Sequence, residues 1–520
     1  MIKVSDLTLE QKIGQLMMVG FNGQTLGEST IDMIKTYKIG NIIHFTRNIG
    51  STEQIFQLNK DLQKLIIKTT GVPALISVDQ EGGMVTRIYD KATVFPGAMT
   101  IAATDDVNNA YLSGLYMGEE LDALGFNMNF APVLDVNNNP NNPVIGVRSF
   151  GDNPEVVSKY TKAFIDGLQK NVIATGKHFP GHGDTHVDSH LGLPRVEHEL
   201  TRLHEVELVP FKNAIRDGIG SFMSAHIIYD VFKDNLPATL SKNALTGLLR
   251  EELKFEGLIV TDGMEMKAIW DNYGAEESAV PAILAGANMV LYCHYEDQQR
   301  RVCELIKEAV LNGTLPMEVL DERVERVLRA KQNLSTNIIN QDYKEVKDVV
   351  ESYVHKAFSK GVVNHALTLV RGDKFVQKGK TLFIGQLPQA TTFADLTDGE
   401  NSAIKILKDS LTDFEFMNVS VNPTAEELSL AISKAKQFKQ VVLTTYNSSS
   451  NPNQLKLIQE LVKLDVELHV ASLRNPYDTY HVPEIKNYVC LYEYTLNSIN
   501  TLKAYLLGNL TPKGKSPIHV

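Results

Sequence analysis

Lys177-His178-Phe179-Pro180-Gly181-His182-Gly183-Asp184-Thr185-His186-Val187-Asp188-Ser189-His190 gathers four histidines, two aspartates and a lysine within fourteen residues. It follows an apolar, strand-like run, Asn171-Val172-Ile173-Ala174-Thr175. Titratable groups at that density cost stability and serve chemistry. One chemistry is zinc ligation by the histidines with Asp184 and Asp188. A four-residue histidine period would line one face of a helix, but Pro180, Gly181 and Gly183 disfavour a helix here. Without a helix the period has no geometric meaning, so no metal is expected. The other chemistry is metal-free proton transfer. In Asp188-Ser189-His190 a carboxylate lies two residues from an imidazole. Such a partner fixes the ring tautomer and raises the basicity of the other nitrogen. The glycines nearby would let this loop swing over a ligand.

Such groups need a frame. Short β-branched runs at 16–20, 41–45, 74–79, 127–133, 172–178, 221–226, 258–262 and 288–293 alternate with amphipathic segments such as 52–69, 107–124, 155–169 and 202–217. After the eighth run come helical patterns at 298–312 and 317–334. Eight strand–helix units over residues 1–335 predict a (β/α)8 TIM barrel. Residues 336–363 form a linker, with 342–361 read as one long helix. Residues 364–520 repeat strand patterns at 366–370, 381–385, 440–445, 467–472 and 488–492, with helices at 425–438 and 453–464. This predicts a smaller, doubly wound α/β sandwich domain. Arg371-Gly372-Asp373-Lys374 is too short for a glycine-rich phosphate loop, so no cofactor is expected.

In a TIM barrel the C-terminal strand ends carry the active site. Here the third strand ends in Asp79, the fourth leads to Asp135 and a loop with Arg148, and the fifth ends in Lys177-His178. The sixth ends in His226 and the seventh in Asp262. Five consecutive strands thus place a charged group or an imidazole at one end, which argues for an enzyme. Each residue also has a plain reading. Asp262 could cap the next helix. Lys177 could be a salt bridge at the barrel mouth, and Arg148 with Asp135 a structural pair. Asp188 and His190 could close a loop, and His182 and His186 read as solvated bystanders.

Composition bounds the classes. The 520 residues are 43% hydrophobic and 22% charged, with net charge −11. That charge disfavours nucleic-acid and anionic-membrane partners. Three cysteines are too few for a disulfide framework. With no basic, apolar leader in Met1-Ile2-Lys3-Val4-Ser5-Asp6, a cytoplasmic location is expected. The expected partner is a small molecule.

The stretch Lys177–His190 with Leu191-Gly192-Leu193-Pro194 closely resembles the signature of family 3 glycoside hydrolases, in the β-N-acetylglucosaminidase branch called NagZ-like. Val78-Asp79-Gln80-Glu81-Gly82-Gly83, Asn129-Phe130-Ala131-Pro132-Val133-Leu134-Asp135, Gly146-Val147-Arg148-Ser149-Phe150-Gly151, Met223-Ser224-Ala225-His226 and Val260-Thr261-Asp262-Gly263-Met264 also resemble that family. The likeness spans residues 8–335, and the layout resembles the two-domain Gram-positive form. It implies Asp262 as nucleophile, His190 as general acid/base and Asp188 as its orienting partner. It implies Asp79, Arg148, Lys177 and His178 as ligands of sugar hydroxyls, with Asp135 and His226 lining or bracing the pocket. The implied activity is retaining release of terminal GlcNAc from cell-wall, muropeptide-type or related glycosides, through a glycosyl–Asp intermediate. A neutral histidine acid/base would not repel phosphate, so phosphorolysis is an alternative second step. A β-glucosidase-like activity fits less well, because that branch draws its acid/base from the second domain. A silent carbohydrate-binding protein is disfavoured by the intact Asp262, Asp188 and His190. Gly263 departs from the larger or acidic residue common in relatives, which would widen the pocket floor.

Overall fold

The computed structural model describes residues 2–185, 192–386 and 403–519. Eight strands close a barrel: β1 (Met17–Val19), β2 (Asn41–His44), β3 (Leu75–Val78), β4 (Met128–Asn129), β5 (Ile173–Phe179), β6 (Ser221–Ser224), β7 (Leu258–Gly263) and β8 (Met289–Tyr292). They pair in chain order, all parallel, and β8 returns to β1. Nearly every strand residue is buried, as befits strands covered on one face by helices and on the other by the barrel interior. Met18, Ile43, Leu75, Met128, Met223, Val260 and Met289 belong to one apolar cluster contributed by successive strands. A larger cluster packs helix faces against the strands. Irregular register falls beyond Gly176 in β5 and beyond Met289 in β8, towards the end that carries the polar residues.

Three expectations for this half need correction. The run 127–133 joins the sheet as a strand only at Met128–Asn129. Pro132 has no N–H to offer a ladder, and Val133 regains only an isolated bridge to Lys177. The helix expected at 202–217 is two helices, Leu200–Glu205 and Val209–Arg216. Pro210 sits in the first turn of the second, where its ring and missing N–H are tolerated. The long helix at 342–361 is also two, Tyr343–Val350 and Tyr353–Ala366. Ser352 breaks it by capping the second, accepting the His355 N–H at 3.3 Å.

The second sheet has β9 (Thr368–Arg371), β10 (Thr381–Gln386), β11 (Phe414–Val419), β12 (Gln440–Thr445), β13 (Glu467–Ser472) and β14 (Asn487–Cys490). Its order is β9-β14-β13-β12-β10-β11, with β9 antiparallel to β14 and every other pair parallel. The parallel part has the doubly wound, flavodoxin-like order. Strand β11 escapes the sequence pattern: it lies at the sheet edge and its exposed Asn418 and half-buried Glu415 dilute the apolar signal. One core cluster of this sheet includes Met99 and Ala103 of the helix Ala98–Ala103 and Val147 of the turn Gly146–Arg148, and the other includes Met84. Among the described residues no helix is long and apolar enough to cross a membrane.

His44 ends β2, fully buried, its Nε2 2.7 Å from Asn59 Oδ1. Asn59 Nδ2 donates in turn to the Leu124 carbonyl. Burial pushes the imidazole down to about 4, so the folded state resists protonation that the unfolded chain accepts near its ordinary 6.5. Stability is therefore full above that value and falls as pH drops towards 4, by on the order of 3 kcal/mol for this group. Urea midpoints taken from pH 7 to pH 4 are expected to fall less steeply in His44→Gln, whose amide can still donate to Asn59; an unchanged slope would contradict this origin.

Candidate active site

A cavity of about 650 Å³ opens at the C-terminal end of the barrel. Asp79, Arg148, Lys177, His178 and Asp262 all line it, so five of the residues predicted from sequence converge. Its innermost polar cluster is an ion network. Lys177 Nζ lies 2.8 Å from Asp79 Oδ1 and 2.7 Å from Glu81 Oε1. Arg148 grips Glu81 with two parallel bonds, Nη2 to Oε1 at 2.7 Å and Nε to Oε2 at 2.9 Å. The Lys177 side chain is only 3% exposed. Burial disfavours the charge on Glu81, yet Arg148 and Lys177 outweigh it and hold the carboxyl well below its usual range. Burial likewise opposes the charge on Lys177, and Asp79 and Glu81 overcome it, raising the ammonium above its usual value. The plain reading of Lys177 as a salt bridge at the barrel mouth is what the structure shows. Asp79, about a fifth exposed, presents a carboxylate oriented by that lysine to the cavity.

Asp135 is completely buried and is absent from the cavity lining. It accepts from the backbone N–H of His178 at 3.1 Å and of His182 at 2.7 Å, and its Oδ2 lies 2.8 Å from His178 Nδ1. Its partner is therefore the histidine ring rather than Arg148. His226 is also buried behind the wall, with Nδ1 2.8 Å from Thr239 Oγ1 and Nε2 donating to the Gly263 carbonyl at 3.0 Å. It thereby pins the strand end that carries Asp262. Both are placed as braces.

Asp262 lies within β7, half-buried, and its Oδ1 accepts the Gly263 N–H at 2.7 Å. The following helix, Lys267–Tyr273, begins after Met266, so Asp262 is not its cap. A Cβ built on Gly263 would meet Cys293 Sγ and Met266 at 3.7 Å, ordinary contact. A side chain of one carbon would therefore fit at this position without displacing its neighbours.

His182 corrects the sequence reading as a solvated bystander. It is buried, lines the cavity, and places Nδ1 2.9 Å from Thr185 Oγ1. Burial and the neighbouring His178 push it down to about 4, so it is neutral at physiological pH. Asp188, His190 and His186 lie outside the described residues.

Several wall residues carry no motif signal: Arg47, Glu265, Trp270, His294 and Tyr295. Glu81 has no role in the sequence reading; the one local sign of it is a second carboxylate two residues past Asp79. Two groups of described residues have ligand atoms within 4.8 Å of one another, Glu265–Cys293–His294 and Asp184–His198–Glu207. Their existing partners suit neither to a cation. Glu265 already takes three backbone N–H groups, and the Arg47 guanidinium stands 3.1 Å from His294 Nδ1. Glu207 is held by Arg202 at 2.8 Å, and Asp184 by His198 at 2.7 Å.

The second domain reaches the ion network through backbone. Asn475 Oδ1 accepts the Val147 N–H at 3.1 Å, one residue before Arg148. Asn137 Oδ1 accepts the Gly146 N–H at 3.0 Å, while its amide donates to Tyr477 OH at 2.5 Å. Gly146 has φ +45°, and a Cβ there would lie 2.2 Å from Asn475 Oδ1, so the turn and the asparagine fit only each other. Asn475→Ala is expected to lower kcat/KM on the order of tenfold by loosening Arg148. Loss of the buried bond should cost about 1–3 kcal/mol of stability. Steady-state kinetics beside thermal unfolding checks this, and unaltered kinetics in a folded variant would refute it.

Residues 8–330 match the Glycosyl hydrolase family 3 N terminal domain. The chain is 38% identical over 320 residues to Beta-hexosaminidase A of Pseudoalteromonas piscicida, covering 55% of this chain and 53% of that protein. It thus spans about half the length of that relative. The solved structure of a glycoside hydrolase family 3 beta-N-acetylglucosaminidase from Paenibacillus sp. str. FPU-7 superposes with a TM-score of 0.91 at 37% identity, covering 99% of each chain. NagZ from Neisseria gonorrhoeae, in complex with N-trifluoroacetyl-D-glucosamine, matches 67% of this chain and 96% of its own at 30% identity, with a TM-score of 0.56. With a matched domain over more than half its length and the charged strand ends gathered in one cavity, the chain belongs to glycosyl hydrolase family 3.

Proposed function

We propose that this glycoside hydrolase is a retaining exo-β-N-acetylglucosaminidase that releases terminal GlcNAc from cell-wall, muropeptide-type or related β-glycosides. The observation that carries the reading is Asp262 at the end of β7, in the same cavity as the Asp79–Lys177–Glu81–Arg148 network. Relatives called Beta-hexosaminidase and beta-N-acetylglucosaminidase support the sugar class.

In this reading the terminal sugar sits over the network. Asp79, Lys177, Arg148 and His178 receive its hydroxyls, because a buried site built of paired charges strongly rejects a ligand that leaves them unpaired. The Asp262 carboxylate attacks the anomeric carbon while the bond to the leaving oxygen breaks, and the imidazolium of His190 gives that oxygen a proton. The now neutral His190 takes a proton from water, which cleaves the glycosyl–Asp ester and restores the starting anomer. Asp188 orients His190. The roles of Asp188 and His190 rest on the sequence motif. Asp135 and His226 keep His178 and β7 in place.

Asp262→Ala is expected to lose at least 10³-fold in kcat on aryl β-GlcNAc, since no other group replaces the nucleophile. Azide should restore part of the turnover and yield the glycosyl azide of opposite anomeric configuration, seen by NMR; retention of that configuration would refute the nucleophile assignment. His190→Ala should slow glycosides with poor leaving groups far more than activated aryl glycosides. Equal losses across leaving groups would remove His190 as the acid.

A further inference from the structure

We infer that residues 515–519 form a strap that sets the position of Arg148, holding from outside the turn that bears this guanidinium. The inference rests on the glycosidase reading above and adds positioning residues to the same site.

The strap crosses from the second domain to the barrel. Lys513 and Gly514 still donate their N–H groups to the Leu367 carbonyl, at 3.1 and 3.0 Å. The next N–H, that of Lys515, donates to the Ala103 carbonyl at 2.8 Å, at the end of the helix Ala98–Ala103. The Pro517 carbonyl then lies over Gly151, where a Cβ would come within 2.6 Å of it. Ile518 is only 5% exposed and belongs to the apolar cluster that contains Met99, Ala103, Val147 and Tyr477. The His519 N–H donates to Asp152 Oδ2 at 2.7 Å, and its ring Nδ1 lies 2.9 Å from the same oxygen. Val147 precedes Arg148, and Gly151 and Asp152 follow it. Three successive strap residues thus meet the segment that carries the arginine.

The other side of that segment belongs to the barrel. Ser149 Oγ donates to the Asp135 carbonyl at 2.6 Å, and the Asn137 N–H donates to the Gly151 carbonyl at 2.9 Å. Residues 146–152 are therefore clasped between the loop after β4 and the strap. The strap is held by Ile518 and by backbone bonds. The Lys515 ammonium reaches Asp105 and the His519 ring reaches Asp152, but those two basic side chains are 74% and 92% exposed, and exposed ion pairs contribute little. What the strap fixes matters because Arg148 binds Glu81 through two parallel bonds. Such a fork depends on its geometry, and a small displacement of a binding group is costly to turnover. Neither Ile518 nor Asp152 lines the cavity, so both act on the site through Arg148.

Kinetics of the full chain on an aryl β-GlcNAc, with GlcNAc as competitive inhibitor, test this. Ile518→Ala is expected to lower kcat/KM about 3- to 10-fold and to weaken GlcNAc inhibition by a similar factor, while Ile518→Val stays close to the parent. Asp152→Ala should act in the same direction. Asp152→Asn should recover most of that loss, because its amide oxygen can still accept the His519 N–H. With Arg148→Ala already present, Ile518→Ala should change kcat/KM by less than about 2-fold, since the strap acts through that guanidinium. Leu457→Ala opens a cavity in the same apolar cluster, on the helix Pro452–Leu461. It should lower the melting temperature and leave kcat/KM and GlcNAc inhibition unchanged. Equal kinetic losses in Leu457→Ala and Ile518→Ala, an additive loss on top of Arg148→Ala, or unaltered kinetics in folded Ile518→Ala would overturn the strap and leave the glycosidase reading standing. If the parent chain does not cleave the aryl glycoside, the glycosidase reading falls and the inference with it.

Discussion

The site depends on four charges taken out of water together. Arg148, Glu81, Lys177 and Asp79 form two formal positive and two formal negative groups, and Glu81 is held from both sides. Removing ions from water costs several kcal/mol each, and mutual attraction repays that only when the geometry is good and the remaining donors and acceptors are used. The two parallel bonds from Arg148 to Glu81 supply that geometry. Glu81 touches both cations, so loss of its charge would take the carboxylate from buried Arg148 and leave Lys177 with Asp79 alone. A sugar that offers hydroxyls to such a network meets donors and acceptors already fixed in direction, and little is spent ordering them.

Much of the barrel works to keep that network in register. Asn129 and Gln80 bracket each other with two bonds, Gln80 N to Asn129 Oδ1 at 3.0 Å and Asn129 Nδ2 to the Gln80 carbonyl at 2.8 Å, so the chain between Asp79 and Glu81 cannot rotate freely. Asp135 serves the neighbouring strand end, binding two backbone N–H groups and one ring. His226 does the same for β7 through the Gly263 carbonyl. These braces are buried polar groups with satisfied partners, which rigidify what they hold. The cavity-lining Asp79, Lys177, His178 and Asp262 thus sit at strand ends, while the residues that brace them lie one layer behind.

The strands, and most of the site, are legible in the sequence because buried parallel strands read as short apolar runs, and a charge at the end of such a run stands out. Asp79, Lys177, His178 and Asp262 were visible for that reason. His182 was misread because a histidine between two glycines looks like loop surface, and nothing local reveals that Thr185 and Asp135 draw it inward. Trp270 and Tyr295 were invisible as a pair, since they follow different strands and meet only because β7 and β8 are neighbours. The split at Ser352 was missed because the apolar period runs through it, and only the cap geometry marks the break.

The bond between the Val147 N–H and Asn475 spans 328 residues of sequence. A barrel that forms early in synthesis holds Asp262, Lys177 and Arg148 long before Asn475 exists to receive it. Long-range closures of this kind come late in folding, because their loop entropy is paid before any reward. The strand that carries Asp262 and the turn that seats Arg148 are therefore completed by different parts of the chain, and the turn takes its last bond from the second sheet. A partly made molecule holds Asp262 but lacks the bond that fixes the turn before Arg148.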